Sequence, residues 1–323
     1  MRLRFCPGAF AVGEAAVWVG DSAFPVLVRI DPRSNRVVAM VPQLADDSDY
    51  PVLDLAAGCG GIWSGDAGGR ILRRDGATAE VRATIPLEEE PDPWAWAGCS
   101  VAVGAGAVWV TGVFKGSVTR IDPVSDTVAT TIPVGSSLDS VAVAYGSVWV
   151  LDGVEGDLAR IDPAAGRVVA RLSLGVRPAQ VSVGEGGVWV SVDCGRHGPR
   201  IVRIDPATSR RVSTLGLGEM PESFDVGEGA LWEVTTTSAK SEASEAVRST
   251  VRKIDPTTYA TLATVPVEGL VTRLRHGEGA LWATVWRSDE QAGRVIRIDP
   301  VGARVAAVIE LPDLTVVPVH ADT

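Results

Sequence analysis

The sequence predicts an all-β protein, a seven-bladed β-propeller with four antiparallel strands per blade, and three recurrent features predict it. Tryptophans at 18, 63, 109, 149, 189, 232 and 282 recur at intervals of 45, 46, 40, 40, 43 and 50 residues. Five residues before each stands Gly13, Gly58, Gly104, Ala144, Gly184, Gly227 or Gly277, and three before, a Gly in every copy but Ala15. After the Trp comes Arg-Ile-Asp-Pro at 29–32, 120–123, 160–163, 203–206 and 297–300, with Lys-Ile-Asp-Pro at 253–256 and a degraded Arg-Arg-Asp-Gly at 73–76. A period in the forties with several short strands per unit is the signature of a propeller, and seven copies fill 323 residues.

The elements of one repeat follow from local chemistry. In the fourth, 140–143 reads as the innermost strand, and Ala144-Tyr145-Gly146 as a tight turn. A second strand over 147–151 carries Trp149, an Asp/Gly-rich loop occupies 152–156, and 158–161 and 168–173 form the third and fourth strands. Asp before Pro suits a β-turn, because Pro presets φ and the carboxylate accepts backbone N–H groups beyond it. Each repeated Asp therefore has a structural task, and each repeated Trp is expected to pack between blades with its indole N–H satisfied. Blade limits fall near 7–42, 51–87, 97–134, 137–175, 178–217, 221–267 and 270–311 of a single propeller spanning 1–323. The β-prone tail at 314–319 is expected to add a closing strand beside blade one.

These phrases resemble the YVTN-type propeller repeat, whose consensus runs near Gly-x-Val-Trp-Val and then Val-x-Arg-Ile-Asp-Pro. The resemblance implies the fold; its members include binding modules and scaffolds, so it assigns no chemistry. More distantly, the Gly-x-x-Trp repeat is similar to that of the virginiamycin B lyases, seven-bladed enzymes with a divalent metal and a catalytic His at the top of the innermost strands. The lyase Glu-x-His phrase of the last blade falls here on Leu270, Val271 and Thr272. The His is absent, so the lyase mechanism does not carry over.

Composition narrows the partners. The net charge of −10 argues against nucleic acid and anionic membrane surfaces, and no apolar run reaches the length of a membrane span. The start, Met1 to Arg4 before an apolar stretch, superficially suggests a signal peptide, yet 9–18 aligns with the other repeats. The chain is accordingly expected to be unprocessed, cytoplasmic and monomeric. Cys6, Cys59, Cys99 and Cys194 have neither zinc nor disulfide-framework spacing and read as buried or incidental thiols.

Insertions locate the functional face. The first-to-second and third-to-fourth turns are constant and share one rim. Trp-to-Asp spacing is 12 or 13 in blades one to four but 16, 23 and 17 in blades five to seven. Asp to the next Trp is 27 for four links but 32 and 34 for the first two. All length variation thus decorates the opposite rim, where loops on a rigid scaffold place binding residues. Trp94, Trp96 and Trp286 stand outside the seven-Trp framework on that rim, beside seven carboxylates at 46, 47, 49, 88–90 and 92. Aromatic rings among carboxylates suit a cationic or amine-bearing ligand, or a basic peptide.

Register reads the axial channel. Seven residues before each Trp stand Ala11, Ala56, Ala102, Ala142, Ser182, Asp225 and Arg275, so Asp225 and Arg275 break a small-residue ring and are expected to pair across adjacent blades. The residues nine and ten before the Trp place Asp54, Asp139, Gln180, Glu222 and Arg273 at the channel top. Glu222 and Asp139 are the candidate general bases and Arg273 the group that stabilises negative charge. Asp54, Trp94, Trp96, Gln180, His197 and Trp286 are the candidate ligand-binding residues; His276 falls in a blade-core register and reads as structural. No cofactor is predicted. A divalent cation stays open, although Asp47-Ser48-Asp49 lacks the Gly and terminal Glu of a calcium loop. The expected function is binding of a small cationic or aromatic ligand at an acidic, Trp-rich channel mouth, with a lyase- or cyclase-type step as one use of it. The alternative is a non-catalytic protein-interaction scaffold using the same face.

Overall fold

The computed structural model describes residues 2–42, 52–66, 68–87, 99–112, 116–175, 177–241 and 244–315. Seven four-stranded sheets stand in a ring, each with its strands in chain order from the axis outward. The innermost strands are Pro7–Gly13, Val52–Gly58, Ser100–Gly104, Leu138–Ala144, Arg177–Gly184, Ser223–Gly227 and Leu270–Gly277. Blade four continues through Ser147–Asp152, Asp157–Asp162 and Arg167–Ser173. Its first turn has Tyr145 at φ 54° and Gly146 at φ 66°, the left-handed pair that matches a hairpin turn to strand twist.

The repeated Trp is the packing unit. All seven framework rings are at most 1% exposed. Trp109, for example, lies in one apolar cluster with Leu138, Val141, Val148 and Ile161 of the following blade. Burying roughly 200 Å² of ring at ~25 cal/mol per Å² is worth about 5 kcal/mol per blade before conformational entropy is charged. In six blades the indole N–H donates to the carbonyl five residues earlier, at 3.0–3.4 Å. The basic residue of the Arg-Ile-Asp-Pro phrase lies over the ring of its own blade, 5.1–5.9 Å from the centroid in all seven.

The same basic group then reaches the next blade. Arg29, Arg73, Arg120, Arg160, Arg203 and Lys253 each donate to a carbonyl in the following blade's outer turn. The phrase thus couples a stacking contact to an inter-blade hydrogen bond. Its Asp does what a turn Asp should: Asp162 Oδ1 accepts from the amides of Ala164 and Ala165, and Asp255 Oδ1 from Thr257 and Thr258. Those amide bonds hold both carboxyls below the usual carboxylate range.

The seam between blades seven and one is built differently. Arg297 lies 5.6 Å over Trp282 but has no polar partner among the described residues. Phe5 and Phe10 instead pack with Trp282, Val295 and Ile309. Gly293 admits the N-terminal segment so closely that a Cβ there would stand 2.4 Å from the Phe5 carbonyl oxygen. Of the tail at 314–319, the part after 315 lies outside the described residues; Leu314–Thr315 pairs antiparallel with Arg2–Leu3 as a separate two-stranded ribbon and not with a strand of blade one.

On the face carrying the long loops, blade six extends furthest. Its middle strands run Ala230–Ser241 and Ser244–Ile254 and pair with each other to Ser241 and Ser244, whereas the outer strand joins them only from Ser249. The result is a two-stranded finger beyond the sheet.

Candidate functional site

The innermost strands leave the sheet register as they start. Irregularities between Val52 and Asp54, Leu138 and Ser140, Pro178 and Gln180, and Val271 and Arg273 leave Leu53, Asp139, Ala179 and Thr272 unpaired. A bulge re-aims side chains, and here Leu53, Asp139 and Ala179 turn toward the channel, while the Thr272 hydroxyl meets that of Thr284. A cavity of about 440 Å³ opens on the long-loop face, with Asp54, Asp139, Gln180, Glu222, Arg273 and Arg275 in its wall. The five residues placed by register at the channel top therefore share one cavity.

They do not share one role. Asp54 Oδ2 accepts from the Val101 amide at 2.9 Å and from Ser100 Oγ at 3.2 Å. Gln180 spans blades five and six, its Nε2 donating to the Phe224 carbonyl at 2.7 Å and its Oε1 accepting from the Phe224 amide at 3.3 Å. Ser140 and Ser223 accept the corresponding amides of Val181 and Leu274. Asp54, Ser140, Gln180 and Ser223 in this register thus staple one blade to the next. Arg273 stands in the same register but cannot do so, since a guanidinium cannot accept a hydrogen bond.

Glu222 and Arg273 stand in adjacent blades with opposite charges, yet neither side chain has a hydrogen-bond or ion-pair partner among the described residues. Arg273 is accessible to solvent inside the cavity but walled by protein. That desolvation lowers its pKa, opposed by the Asp54 charge and reinforced by Arg275. Asp139 moves the other way: burial raises its pKa, a 3.4 Å bond from Ser137 Oγ opposes this, and the charge of Asp152 adds to it. Its Oδ2 lies so near Gly153 that a Cβ there would stand 1.7 Å away, so a larger residue at 153 would displace the Asp139 carboxylate. Cys99 also lines the cavity, a free buried thiol whose pKa burial pushes well up, with the Asp54 and Asp66 charges adding. Cys59, by contrast, is an exposed free thiol.

The remaining candidates lie elsewhere. His197 is exposed on the short helical turn Gly195–His197 of blade five and does not line the cavity. Trp286 is half-buried near the end of the strand Ala280–Arg287, also away from the lining. Trp94, Trp96 and the carboxylates at 46, 47, 49, 88–90 and 92 lie outside the described residues. Among the described residues no group of three or more His, Cys, Asp or Glu is placed to hold a metal. The channel top offers Leu270, Val271 and Thr272 where the lyase resemblance would need its Glu-x-His, so these residues do not fit that family's metal.

Two readings of the channel floor need correction. Asp225 does not pair with Arg275. Ser182 Oγ donates to Asp225 Oδ1 at 2.7 Å, while the His276 amide and Nδ1 both meet Oδ2 at 2.7 Å. Arg275 Nη1 turns back to the Leu274 carbonyl at 2.9 Å. His276 is no core residue either, its side chain being 39% exposed at the opposite end of the channel. An apolar register could not foretell this; the usable signal was a His one position beyond the Asp in the neighbouring blade. A third unforeseen group is Glu233, fully buried beside Trp232. Arg252 Nε donates to it at 2.7 Å, its Oε2 has no partner, and burial raises its pKa.

No family model matches the sequence, and no curated sequence matches it. Solved propellers do match in shape. U3-55K shares 14% identity over 92% of this chain and 98% of its own, with a TM-score of 0.69. Hydrazine synthase from Kuenenia stuttgartiensis shares 14% over 81% of both chains at 0.65, and BamB from Moraxella catarrhalis 14% over 86% and 82% at 0.56. At such identities the likeness establishes the class alone: a seven-bladed β-propeller.

Proposed function

We propose that the protein is a ligand-binding propeller whose long-loop mouth takes a small polar molecule carrying a cationic amine. The observation that carries this reading is the unpartnered, oppositely charged pair Glu222 and Arg273 in the wall of one cavity of about 440 Å³. Opposite charges that face a shared space without closing on each other suit a ligand with both signs. Glu222 and Asp139 would receive the amine and Arg273 an anionic group; a proton transfer from the ligand to either carboxylate is the step a lyase or cyclase would add. The YVTN-type resemblance, a cytoplasmic monomer and Trp286 as an outer aromatic contact belong to the same proposal. Isothermal titration with a panel of free amino acids and aromatic amines tests it. At least one should bind saturably and lose about tenfold or more in affinity in Glu222→Gln and in Arg273→Gln; no binder in the panel, or binding indifferent to both substitutions, rejects it.

A second reading, a protein-docking scaffold, is favoured by the blade-six finger on the same face and by similarity to propellers such as the RRP9 WD40 repeats, at a TM-score of 0.69. Deleting 238–247 separates the two. Small-ligand binding should survive that deletion, and capture of a protein partner should not.

A further inference from the structure

The opposite end of the channel holds a second cavity, of about 210 Å³, on the face with the short turns. It is built asymmetrically. Ala56, Ala102, Ala142 and Val143 line one side, and Ser182, Asp225, Arg275 and His276 the other. Asp225 is already saturated by Ser182 and by the amide and ring of His276. The imidazole is fixed in place: Nδ1 sits on Asp225, and the ring lies over Gly227, where an added Cβ would stand 2.4 Å from Cδ2. A carboxylate can only accept, so Nδ1 carries a hydrogen; Nε2 is then a bare acceptor in the neutral ring and a donor in the imidazolium. Nε2 has no partner among the described residues. Arg275, the charged side chain common to both cavities, uses one bond on the Leu274 carbonyl and keeps its other N–H groups for the channel.

We propose that this mouth binds a small carboxylate with an apolar body, its oxygens between Arg275 and the protonated His276 ring and its tail on the alanine and valine wall. The charged groups acting on the ring are Asp225 and Glu228 of blade six and Arg275 of its own strand, while blade one contributes the apolar Val12 to the cavity. The Asp225 hydrogen bond raises the His276 pKa, so the donor form persists above the pH at which a free imidazole loses its proton. Affinity therefore falls as pH rises through that raised value. Charge-assisted bonds from a guanidinium and an imidazolium select carboxylate over neutral ligands. The small volume limits the body to a few carbons. Nothing here depends on the reading of the long-loop mouth.

The test uses butyrate as probe and acetate as its tail-less control, followed by the His276 ring resonances in NMR and by calorimetry on the whole chain. Butyrate should shift those resonances saturably at pH 6 and bind about tenfold tighter than acetate, for two further methylenes. At pH 9 its affinity should drop at least tenfold. Arg275→Gln should weaken it similarly, and so should His276→Gln; if the latter does not fold, Arg275→Gln decides. Arg273→Gln, confined to the other cavity, should leave butyrate binding within twofold. Unmoved His276 resonances, equal affinity at pH 6 and 9, or loss of butyrate in Arg273→Gln would each overturn the assignment.

Discussion

The two ends of one channel handle their charges in opposite ways. On the short-turn face the carboxylate of Asp225 receives three hydrogen bonds at 2.7 Å and is 5% exposed, so its charge is spent on holding blades five, six and seven together. On the long-loop face Glu222 and Arg273 are exposed and uncommitted. Both sets interrupt the repeat at neighbouring positions of the same strands, and sequence alone gives them equal standing. A polar break in a repeat offers its charge to a ligand only where polar atoms remain uncommitted, as at Glu222, Arg273 and the remaining N–H groups of Arg275. Where neighbouring blades have supplied complementary groups, as Ser182 and His276 do, the break has become part of the fold.

The comparison can be broken by substitution. The ceiling is set by the ring tryptophans: Trp149→Ala should cost about 3–5 kcal/mol in chemical denaturation through lost packing. Asp225→Ala should come next, at about 2–4 kcal/mol, because it strands His276 and Ser182; the half-open imidazole keeps it below a fully buried pair. A loss under ~0.5 kcal/mol would mean that the two mouths do not differ after all. Smaller again is the pH effect of the pair. His276 has a raised folded pKa, so its contribution is complete below the unfolded value near 6.5 and is lost as pH rises through the folded value. For Asp225, burial raises the pKa, but His276, Arg275 and Ser182 together outweigh it and leave the folded value low. Its contribution is complete above the unfolded value near 3.8 and is lost as pH falls through the folded one. The melting temperature of the native chain should therefore exceed that of His276→Gln most between about pH 4 and 6.5, and the gap should close toward pH 9. The smallest changes belong to the other mouth: Glu222→Gln and Arg273→Gln should each move stability by less than ~0.5 kcal/mol. A large loss in either would identify a hidden structural partner.

Most of the architecture was legible because a blade repeats its own instructions. Trp, the turn glycines and the Asp before Pro recur at the spacing that makes them pack, turn and cap, and the blades stack as those positions require. The channel-top set was legible by register, since Asp54, Asp139, Gln180, Glu222 and Arg273 do meet in one cavity. What register could not supply was partnering. Gln180 and Asp54 look as available as Glu222 until the Phe224 and Val101 amides are seen to meet them. His276 escaped because its column is otherwise Val and Ala, and only its neighbour across the blade boundary gives it a polar role. The finger of blade six was visible as a spacing of 23, but not as an extended ribbon, since an insertion's length does not state its conformation.

The seam between blades seven and one is also a weak link in a mechanical sense. Six junctions carry a guanidinium or ammonium across to the next turn, whereas Arg297 stops on Trp282. A ring under tension parts at its least stitched joint, so pulling the chain by its two ends should unzip the Arg2–Leu3 and Leu314–Thr315 ribbon and then peel off whole blades one at a time. Joining the native ends and cutting the chain in the link between blades four and five would move the opening to a stitched junction. Such a rewired ring should resist force better than the natural one while keeping both channel mouths unchanged.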